Sequence, residues 1–151
     1  METRTGFLIS RIGQVQARIF QRLLLDSGVE AFNGPQGRIL YVLWQGDGIP
    51  IVELARQTGL AKNTLTAMLA RMEETGLVRR APDPSDRRQS LVTLTERARE
   101  LESAYESVSR QMNELYFPGF APEEAAALDG LLDRVLANLE KSEKNLKKER
   151  K

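Results

Sequence analysis

Two adjacent arginines, Arg87 and Arg88, lie in a polar stretch between two short segments that favour β-strands. LVRR at 77–80 precedes the stretch, and SLVTL at 90–94, which alternates between faces, follows it. The nine residues between them, APDPSDRRQ, exceed the usual hairpin loop of about two to five residues. Guanidinium groups on such a loop could enter the narrow, electronegative minor groove of DNA, or they could simply be solvated. The neighbouring elements decide between these interpretations.

The residues before this loop, 49–80, contain the pattern of a helix-turn-helix. Apolar spacing predicts a short helix over 51–57 and a longer helix over about 62–75. Gly59 allows a tight turn between the two helices, and Gly76 ends the second one. Helical hairpins with a glycine turn also occur in proteins that never bind DNA. The exposed residues of the second helix must therefore distinguish a DNA-binding motif from an ordinary hairpin.

Polar side chains occupy the first turns of the second predicted helix, at Lys62, Asn63, Thr64 and Thr66. All four can form hydrogen bonds with base edges or phosphates, and Ala67 and Ala70 keep the same region slim. A slim polar helix suits the major groove of DNA, which is about 12 Å wide. The alternative is that these residues are simply solvated. The order helix, turn, helix, hairpin favours DNA binding, with the arginine pair on a wing.

Broad apolar stripes mark the two ends of the chain. One predicted helix carries apolar residues at helical spacing over 8–24, and a second begins at Pro35. After the wing, Thr95 can cap a helix that runs to about Tyr116, and Pro122 opens a final helix. The stripes exceed what a small winged-helix core can cover, and uncovered faces of this kind commonly indicate a dimer.

The predicted fold is mainly α with a small β-hairpin wing: a winged helix-turn-helix with N- and C-terminal dimerisation helices. Residues 1–34 supply the N-terminal dimerisation helix, and residues 35–95 supply the DNA-binding domain. Residues 96–140 supply the C-terminal dimerisation helices. The basic tail at 141–151 loses the apolar periodicity and is predicted to be disordered.

The absence of cysteine and histidine removes several classes of chemistry. Thiolate nucleophiles, disulfides, nearly every structural zinc site and the most common general base are excluded. No paired-carboxylate or glycine-rich phosphate motif is present, so we expect neither an enzyme nor a bound metal or cofactor. No apolar run approaches the roughly 20 residues that cross a bilayer, which predicts a cytoplasmic protein without membrane contact.

The net charge of +1 hides an uneven distribution. Residues 50–94 hold seven Lys or Arg and five Asp or Glu, residues 95–140 hold four and ten, and residues 141–151 hold six and two. A mildly basic middle region beside an acidic helical region indicates that one part of the molecule faces a polyanion and another part does not.

The run LVRRAPDPSDRRQSLVTLTERARE closely resembles the wing and following helix of the MarR family of bacterial transcription regulators. Within it, DPSDRR followed by LVTLTE is the most specific feature, and ELARQTGLAKNTLTAMLARMEETGLV resembles the family's helix-turn-helix. The resemblance implies a homodimer of winged-helix lobes held together by terminal helices. It also implies binding of a pseudo-palindromic double-stranded DNA operator, usually as a repressor, and often release by a small aromatic or phenolic ligand.

The resemblance assigns DNA contacts residue by residue. The family's recognition helix meets the major groove at the positions of Lys62, Asn63, Thr64 and Thr66. Asp86 and Arg88 match the family's Asp-x-Arg wing element, in which the aspartate braces the arginine that enters the minor groove. Arg87 lies beside this element and is expected to contribute less.

Two positions depart from the family pattern. Ala61 stands where many members have a serine that can cap the recognition helix, and Ala98 replaces a glycine that is common after LTE. The lack of cysteine excludes the thiol-based oxidant sensing of some members. Arg18, Tyr41 and Trp44 could line a ligand pocket between the dimer helices and the DNA-binding lobes, although each is equally well a core or surface residue.

Functions from three classes remain to be compared. A ligand-responsive DNA-binding repressor accounts for the motifs. A winged-helix protein-interaction module would instead use the wing and the second helix to bind an acidic protein surface, without specific DNA binding. An enzyme with carboxylate or lysine chemistry has no motif in its favour.

Overall fold

The chain folds as two compact units, residues 1–112 and residues 113–151. A computed structural model describes all residues from 1 to 151. The elements are seven α-helices, a short 3₁₀ helix and one three-stranded sheet, which confirms the predicted mainly helical fold with a small wing. No helix combines the length and the apolar character that crossing a bilayer requires.

The first unit begins with helix α1, Thr5–Asp26. Gly28 follows in the left-handed conformation, with φ 74°, which is typical of the residue just beyond the end of a helix. A 3₁₀ turn at Glu30–Phe32, which the sequence did not predict, buries its last residue completely. Helix α2 is Gln36–Gln45, and Pro35 precedes it with φ −70°, close to the angle that a proline ring imposes.

The helix-turn-helix forms where the sequence predicts it. Helix α3 is Ile51–Thr58 and helix α4 is Lys62–Glu74. Gly59 lies between them with φ 71°, a conformation that side chains disfavour, and its N–H donates to the Ala55 carbonyl oxygen at 2.9 Å. Helix α4 turns one face to the core through Leu65, Leu69 and Met72.

A three-stranded antiparallel sheet combines a short strand before α3 with the two strands of the wing after α4. Strand β1 is Ile49–Pro50, β2 is Val78–Asp83 and β3 is Asp86–Leu94, in the order β1-β3-β2. Val78 pairs with Leu94 at the base of the hairpin, and β1 pairs with the middle of β3. The sequence did not predict β1, because two residues carry no detectable alternation.

The predicted nine-residue wing loop is wrong. Strand pairing continues to Asp83, so only Pro84 and Ser85 separate the two strands. Pro82 pairs with Ser90 although it lacks a backbone N–H, which is tolerated because β2 is an edge strand. Proline and aspartate are depleted in strands, and their presence in β2 therefore hid half of the hairpin from sequence reasoning.

Apolar residues from every helix of the first unit and from the sheet form one core. Tyr105 lies in its aromatic part, with ring centroids 5.7 Å from Phe20 and 5.3 Å from both Phe32 and Trp44. The largest completely buried side chains are Phe32, Ile39, Leu40, Leu43, Leu54, Leu65, Leu69, Met72, Leu77, Val78 and Val92. Each contributes about 1.5–3 kcal/mol by burial, so the core is a firm platform for α4 and the wing.

The helix predicted over 95–116 is two helices. Thr95 caps the first, since its side chain accepts a hydrogen bond from the Ala98 N–H at 3.3 Å. Helix α5, Glu96–Glu100, then gives way at Leu101 to helix α6, Glu102–Tyr116.

The second unit contains helix α7, Pro122–Glu149, which begins at the predicted proline. The Ala121 N–H donates to the Glu124 carboxylate at 2.9 Å and so caps the helix start. The disordered tail predicted for 141–151 is corrected, because α7 is helical to Glu149 and Lys147 pairs with Glu143 one turn earlier at 2.8 Å. Helix propensity and such pairs do not require the apolar periodicity on which the prediction relied.

Candidate nucleic-acid interface

The start of α4 presents an uncapped, polar helix end to solvent. Ala61 supplies no side-chain cap, so the first N–H groups of the helix have no partner within the protein. Lys62, Asn63 and Thr64 are exposed, and no hydrogen bond or ion pair engages their side chains. Unpaired N–H groups and the positive end of the helix dipole attract phosphate oxygens. The predicted recognition residues therefore lie together on one accessible helix end.

Thr66 differs from these three residues because its hydroxyl is already engaged. The hydroxyl donates to the Lys62 carbonyl oxygen at 2.9 Å, one helical turn earlier. In this conformation the side chain offers a DNA base only lone pairs and a methyl group. Ala67 and Ala70 are also exposed on α4, and their small side chains project little from the helix surface.

The predicted wing clamp is present between Asp86 and Arg88. Asp86 Oδ1 accepts from Arg88 Nε at 3.1 Å and from the Arg88 backbone N–H at 3.0 Å, and Oδ2 accepts from Arg88 Nη2 at 3.3 Å. These hydrogen bonds hold the pKa of Asp86 below its usual value, and those from the Arg88 side chain have the largest effect. The Arg88 side chain is nevertheless 91% exposed. Its direction is fixed while its remaining donors face outward.

Arg87 has no such support. It is exposed, and no hydrogen bond or ion pair engages its side chain. Both arginines lie on β3 rather than in a loop, and neighbouring residues of a strand point to opposite faces of the sheet. The two guanidinium groups are therefore not equivalent.

An ion pair that the sequence analysis missed joins the wing to the recognition helix. Arg80 Nε on β2 lies 2.9 Å from Glu73 Oε2 in the last turn of α4. The hydrogen bond from Arg80 is the main cause that lowers the pKa of Glu73. Seven residues separate the pair in the chain, and only the hairpin geometry brings them together.

Three polar residues at the end of the wing were also missed. Asp83 accepts hydrogen bonds from the Ser85 N–H at 2.8 Å, from the Ser85 hydroxyl at 2.7 Å and from Gln89 Nε2 at 2.8 Å. An aspartate followed by proline and serine is typical of a turn in which the carboxylate binds the backbone two residues on. The sequence DPSD contains this turn pattern, but the prediction treated it as part of a nine-residue loop.

The three predicted effector residues do not all line the cavity next to Tyr41. Tyr41 lines a cavity of ≈330 Å³ in the first unit, together with Phe20, Gln21, Leu24, Gly34, Pro35, Arg38, Leu60 and Tyr105. Neither Arg18 nor Trp44 lines it. The Trp44 indole N–H donates to the Ala98 carbonyl oxygen at 2.9 Å, and its ring packs on Phe32. Sequence reasoning missed Arg38, the cationic group of this cavity.

A winged helix-turn-helix with an exposed polar recognition helix and a braced wing arginine defines the class of DNA-binding transcription regulators. A model of the MarR family matches residues 32–90. Transcriptional regulator HosA of Escherichia coli O111:H- is 34% identical over 102 residues, which cover 68% of this chain and 76% of HosA.

Two further proteins are similar over most of their length. The HTH-type transcriptional repressor IacR of Pseudomonas putida is 28% identical over 130 residues, which cover 86% of this chain and 74% of IacR. The solved structure of BpsR from Bordetella bronchiseptica matches with a TM-score of 0.74 and 28% identity, and 6-hydroxynicotinic acid regulates the DNA binding of BpsR. The match covers 88% of this chain and 98% of BpsR. The chain belongs to the MarR family, whose members are transcription regulators and not enzymes.

Proposed function

We propose that this protein is a sequence-specific, homodimeric transcriptional repressor that binds a pseudo-palindromic operator and is released by a small ligand. The observation that carries the proposal is the Asp86–Arg88 clamp, which holds an exposed guanidinium in a fixed direction, in a chain whose helix α4 also presents an exposed polar start. A helix that reads the major groove and an arginine that enters the minor groove are complementary modes of DNA recognition. Similarity to the repressor IacR supports the negative sign of regulation, and a cytoplasmic location is part of the proposal.

The test of DNA binding uses a duplex from the region upstream of the protein's own coding sequence. Specific binding should survive excess competitor DNA and raised salt, whereas non-specific attraction to phosphates should not. Retention by an acidic protein surface with no salt-resistant DNA complex would favour the alternative, a winged-helix protein-interaction module.

Exposed apolar side chains on α1 and α7 support the homodimer. Phe7 and Ile12 on α1 and Leu132, Leu136 and Leu139 on α7 are all exposed in the single chain. Such faces on soluble proteins commonly mark subunit contacts, and a dimer sets the one-turn spacing of two recognition helices.

The dimer is tested by placing a charge in the apolar face of α7. Leu132→Asp should give monomer or aggregate in sedimentation and should abolish operator binding, because an unpaired charge in an interface costs several kcal/mol. Asn138→Asp is the matched control, since it adds the same charge to α7 at a polar residue. An intact, DNA-competent dimer of Leu132→Asp would mean that α7 does not use this face.

The cavity next to Tyr41 supports a small aromatic carboxylate or phenol as the ligand. Its walls combine apolar and aromatic groups with one guanidinium, that of Arg38, which suits a flat ligand with one acidic group. Arg38 Nη1 also donates to the Thr58 carbonyl oxygen at 3.3 Å, at the end of α3. A ligand that draws Arg38 away would loosen its contact with the helix-turn-helix. The regulation of BpsR by 6-hydroxynicotinic acid supports the same chemical class.

Titration of the operator complex with aromatic acids, phenols and mild peroxide tests the ligand. Any effective ligand must bind the DNA-incompetent state more tightly, since equal affinity shifts nothing. We expect release by an aromatic acid or phenol and none by peroxide, because there is no cysteine to oxidise. Arg38→Met removes the bond to Thr58, so it should bind operator more weakly without ligand and should respond little to added ligand, while Arg18→Met, outside the cavity, should respond normally. Release by peroxide alone would contradict the proposed switch.

A further inference from the structure

Asp83 is the one charged residue of this chain that is buried, with 8% of its surface exposed. It lies at the end of β2, next to the turn that reverses the chain, and outside the apolar core. Burial of a carboxylate is unfavourable unless hydrogen bonds compensate it. A buried carboxylate near the tip of a hairpin is therefore expected to stabilise the local structure through its hydrogen bonds.

Three donors surround this carboxylate. Oδ1 accepts from the Ser85 N–H and hydroxyl, at 2.8 and 2.7 Å, and Oδ2 accepts from Gln89 Nε2 at 2.8 Å. The bonds from Ser85 are the largest cause, and that from Gln89 a further one, of the lowered pKa of Asp83. Hydrogen bonds to an ionised acceptor are stronger than neutral ones, so this arrangement is firm. We name it the wing-tip network: Asp83, Ser85 and Gln89.

The wing-tip network encloses the residues that face DNA in the proposed function. Asp83 pairs with Asp86 across the turn, and the strand register shifts between Pro82 and Asp83. The turn therefore depends on side-chain bonds where regular backbone pairing ends. Gln89 follows Arg88 directly, so the network holds the chain on both sides of the clamp.

We propose that Asp83 is a positioning residue for DNA binding: through Ser85 and Gln89 it holds the wing tip so that the Asp86–Arg88 clamp meets the minor groove without reordering. The inference rests on the proposed DNA-binding function. An element that is already ordered loses little conformational entropy when it binds, and preorganisation of this kind raises affinity without any new contact.

Charge alone predicts the opposite effect, which makes the role testable. Removing a negative charge beside phosphates should strengthen DNA binding if Asp83 acts only through electrostatics. Asp83→Ala removes the charge and all of the acceptors. Asp83→Asn removes the same charge but keeps an oxygen for Ser85, and Gln89 can rotate its amide to accept from the new nitrogen. The two variants are therefore matched in charge and differ in the wing-tip network.

The experiment measures operator affinity of the full-length protein by fluorescence anisotropy, with thermal unfolding as a check of folding. Asp83→Ala should weaken binding about tenfold, as expected for lost hydrogen bonds to a charged group, while Asp83→Asn should stay within about twofold of wild type. In an Arg88→Ala background, Asp83→Ala should change affinity by less than about twofold, because its effect passes through that arginine. Equal affinities of the Ala and Asn variants, or full additivity with Arg88→Ala, would overturn the positioning role.

The two levels of the proposal fail in different ways. If wild-type protein shows no salt-resistant operator complex, the DNA-binding function is wrong and the role of Asp83 fails with it. If wild type binds and Arg88→Ala weakens the complex, the function stands, and the pair of Asp83 variants alone decides the positioning role.

Discussion

The wing tip, residues 83–89, and the start of the recognition helix carry their functional groups in opposite states. At the wing tip, bonds within the hairpin fix Asp83, Asp86 and Arg88 before any partner arrives. At the start of α4, the side chains of Lys62 and Asn63 are exposed and form no hydrogen bond or ion pair within the protein.

The difference separates two tasks of DNA recognition. A fixed guanidinium contacts any narrow minor groove with little ordering on binding, and so favours affinity on many sequences. Free side chains must order when they bind but can adopt the geometry that a particular base edge requires, and so favour discrimination. We therefore expect variants of the wing to change how tightly DNA is bound and variants of the recognition helix to change which DNA is bound.

The largest effect should come from the clamp itself. Arg88→Ala should weaken binding at least about tenfold on operator and on unrelated duplexes alike, and should reduce the salt slope by roughly one unit. Affinities over a salt series measure both quantities. Arg87→Ala, which removes an unbraced arginine, is the control and should have a smaller effect. Normal operator binding by Arg88→Ala at physiological salt would remove the wing from the mechanism.

A loss of discrimination should follow from changes in the recognition helix. Asn63→Ala should reduce the preference for one base pair by about tenfold while non-specific affinity stays nearly unchanged. Thr66→Ala should have a smaller effect, since the Thr66 hydroxyl already bonds the Lys62 carbonyl oxygen. Selection from a random duplex pool compares the variants with wild type. A uniform loss of affinity with unchanged preference would contradict the division of tasks.

A smaller effect should come from the link between the two regions. Glu73→Gln weakens the ion pair with Arg80, so helix and wing should bind less cooperatively and operator affinity should fall about threefold. Glu74→Gln is the control, because it removes a neighbouring charge that has no partner. If the two variants bind operator equally, the helix and the wing act independently.

The smallest effect should come from pH. The pKa of Asp86 is lowered below its usual value of 3.8, so the charged clamp persists above that value and is lost only as pH falls through the lowered pKa. There is no histidine to titrate near neutrality. Operator affinity at constant salt should therefore change less than about twofold between about pH 6 and pH 8. A steep change in this range would show that another group controls the clamp or the helix.

Local patterns were sufficient to predict most helices of this protein. Helical periodicity, the turn at Gly59, the cap at Thr95 and the helix start at Pro122 each involve only residues that are a few positions apart, so their conformational preferences act without tertiary help. The Asp-x-Arg brace at 86 and 88 was predicted from the resemblance to the MarR family, and it too is a local contact, since a single residue lies between its two members.

Contacts between distant residues account for the failures. The hairpin was predicted too short because Pro82 and Asp83 disfavour strands locally, while pairing with β3 outweighs that preference. The partner of the Trp44 indole N–H, the carbonyl oxygen of Ala98, lies 54 residues further along the chain and was likewise not predicted. No property of Trp44 or of its sequence neighbours reveals that partner.

The sequence by itself determined the approximate positions of most helices, several of the residues that start and end them, and that a polar helix and an arginine pair follow one another. Only the tertiary structure decided that both wing arginines lie on a paired strand, that Asp83 is buried, and that Arg80 reaches Glu73. The physical reason is the range of the forces involved. Backbone preferences act over a few neighbouring residues, whereas burial and hydrogen-bond partners depend on strand register, which is set by the packing of the whole hairpin against α4.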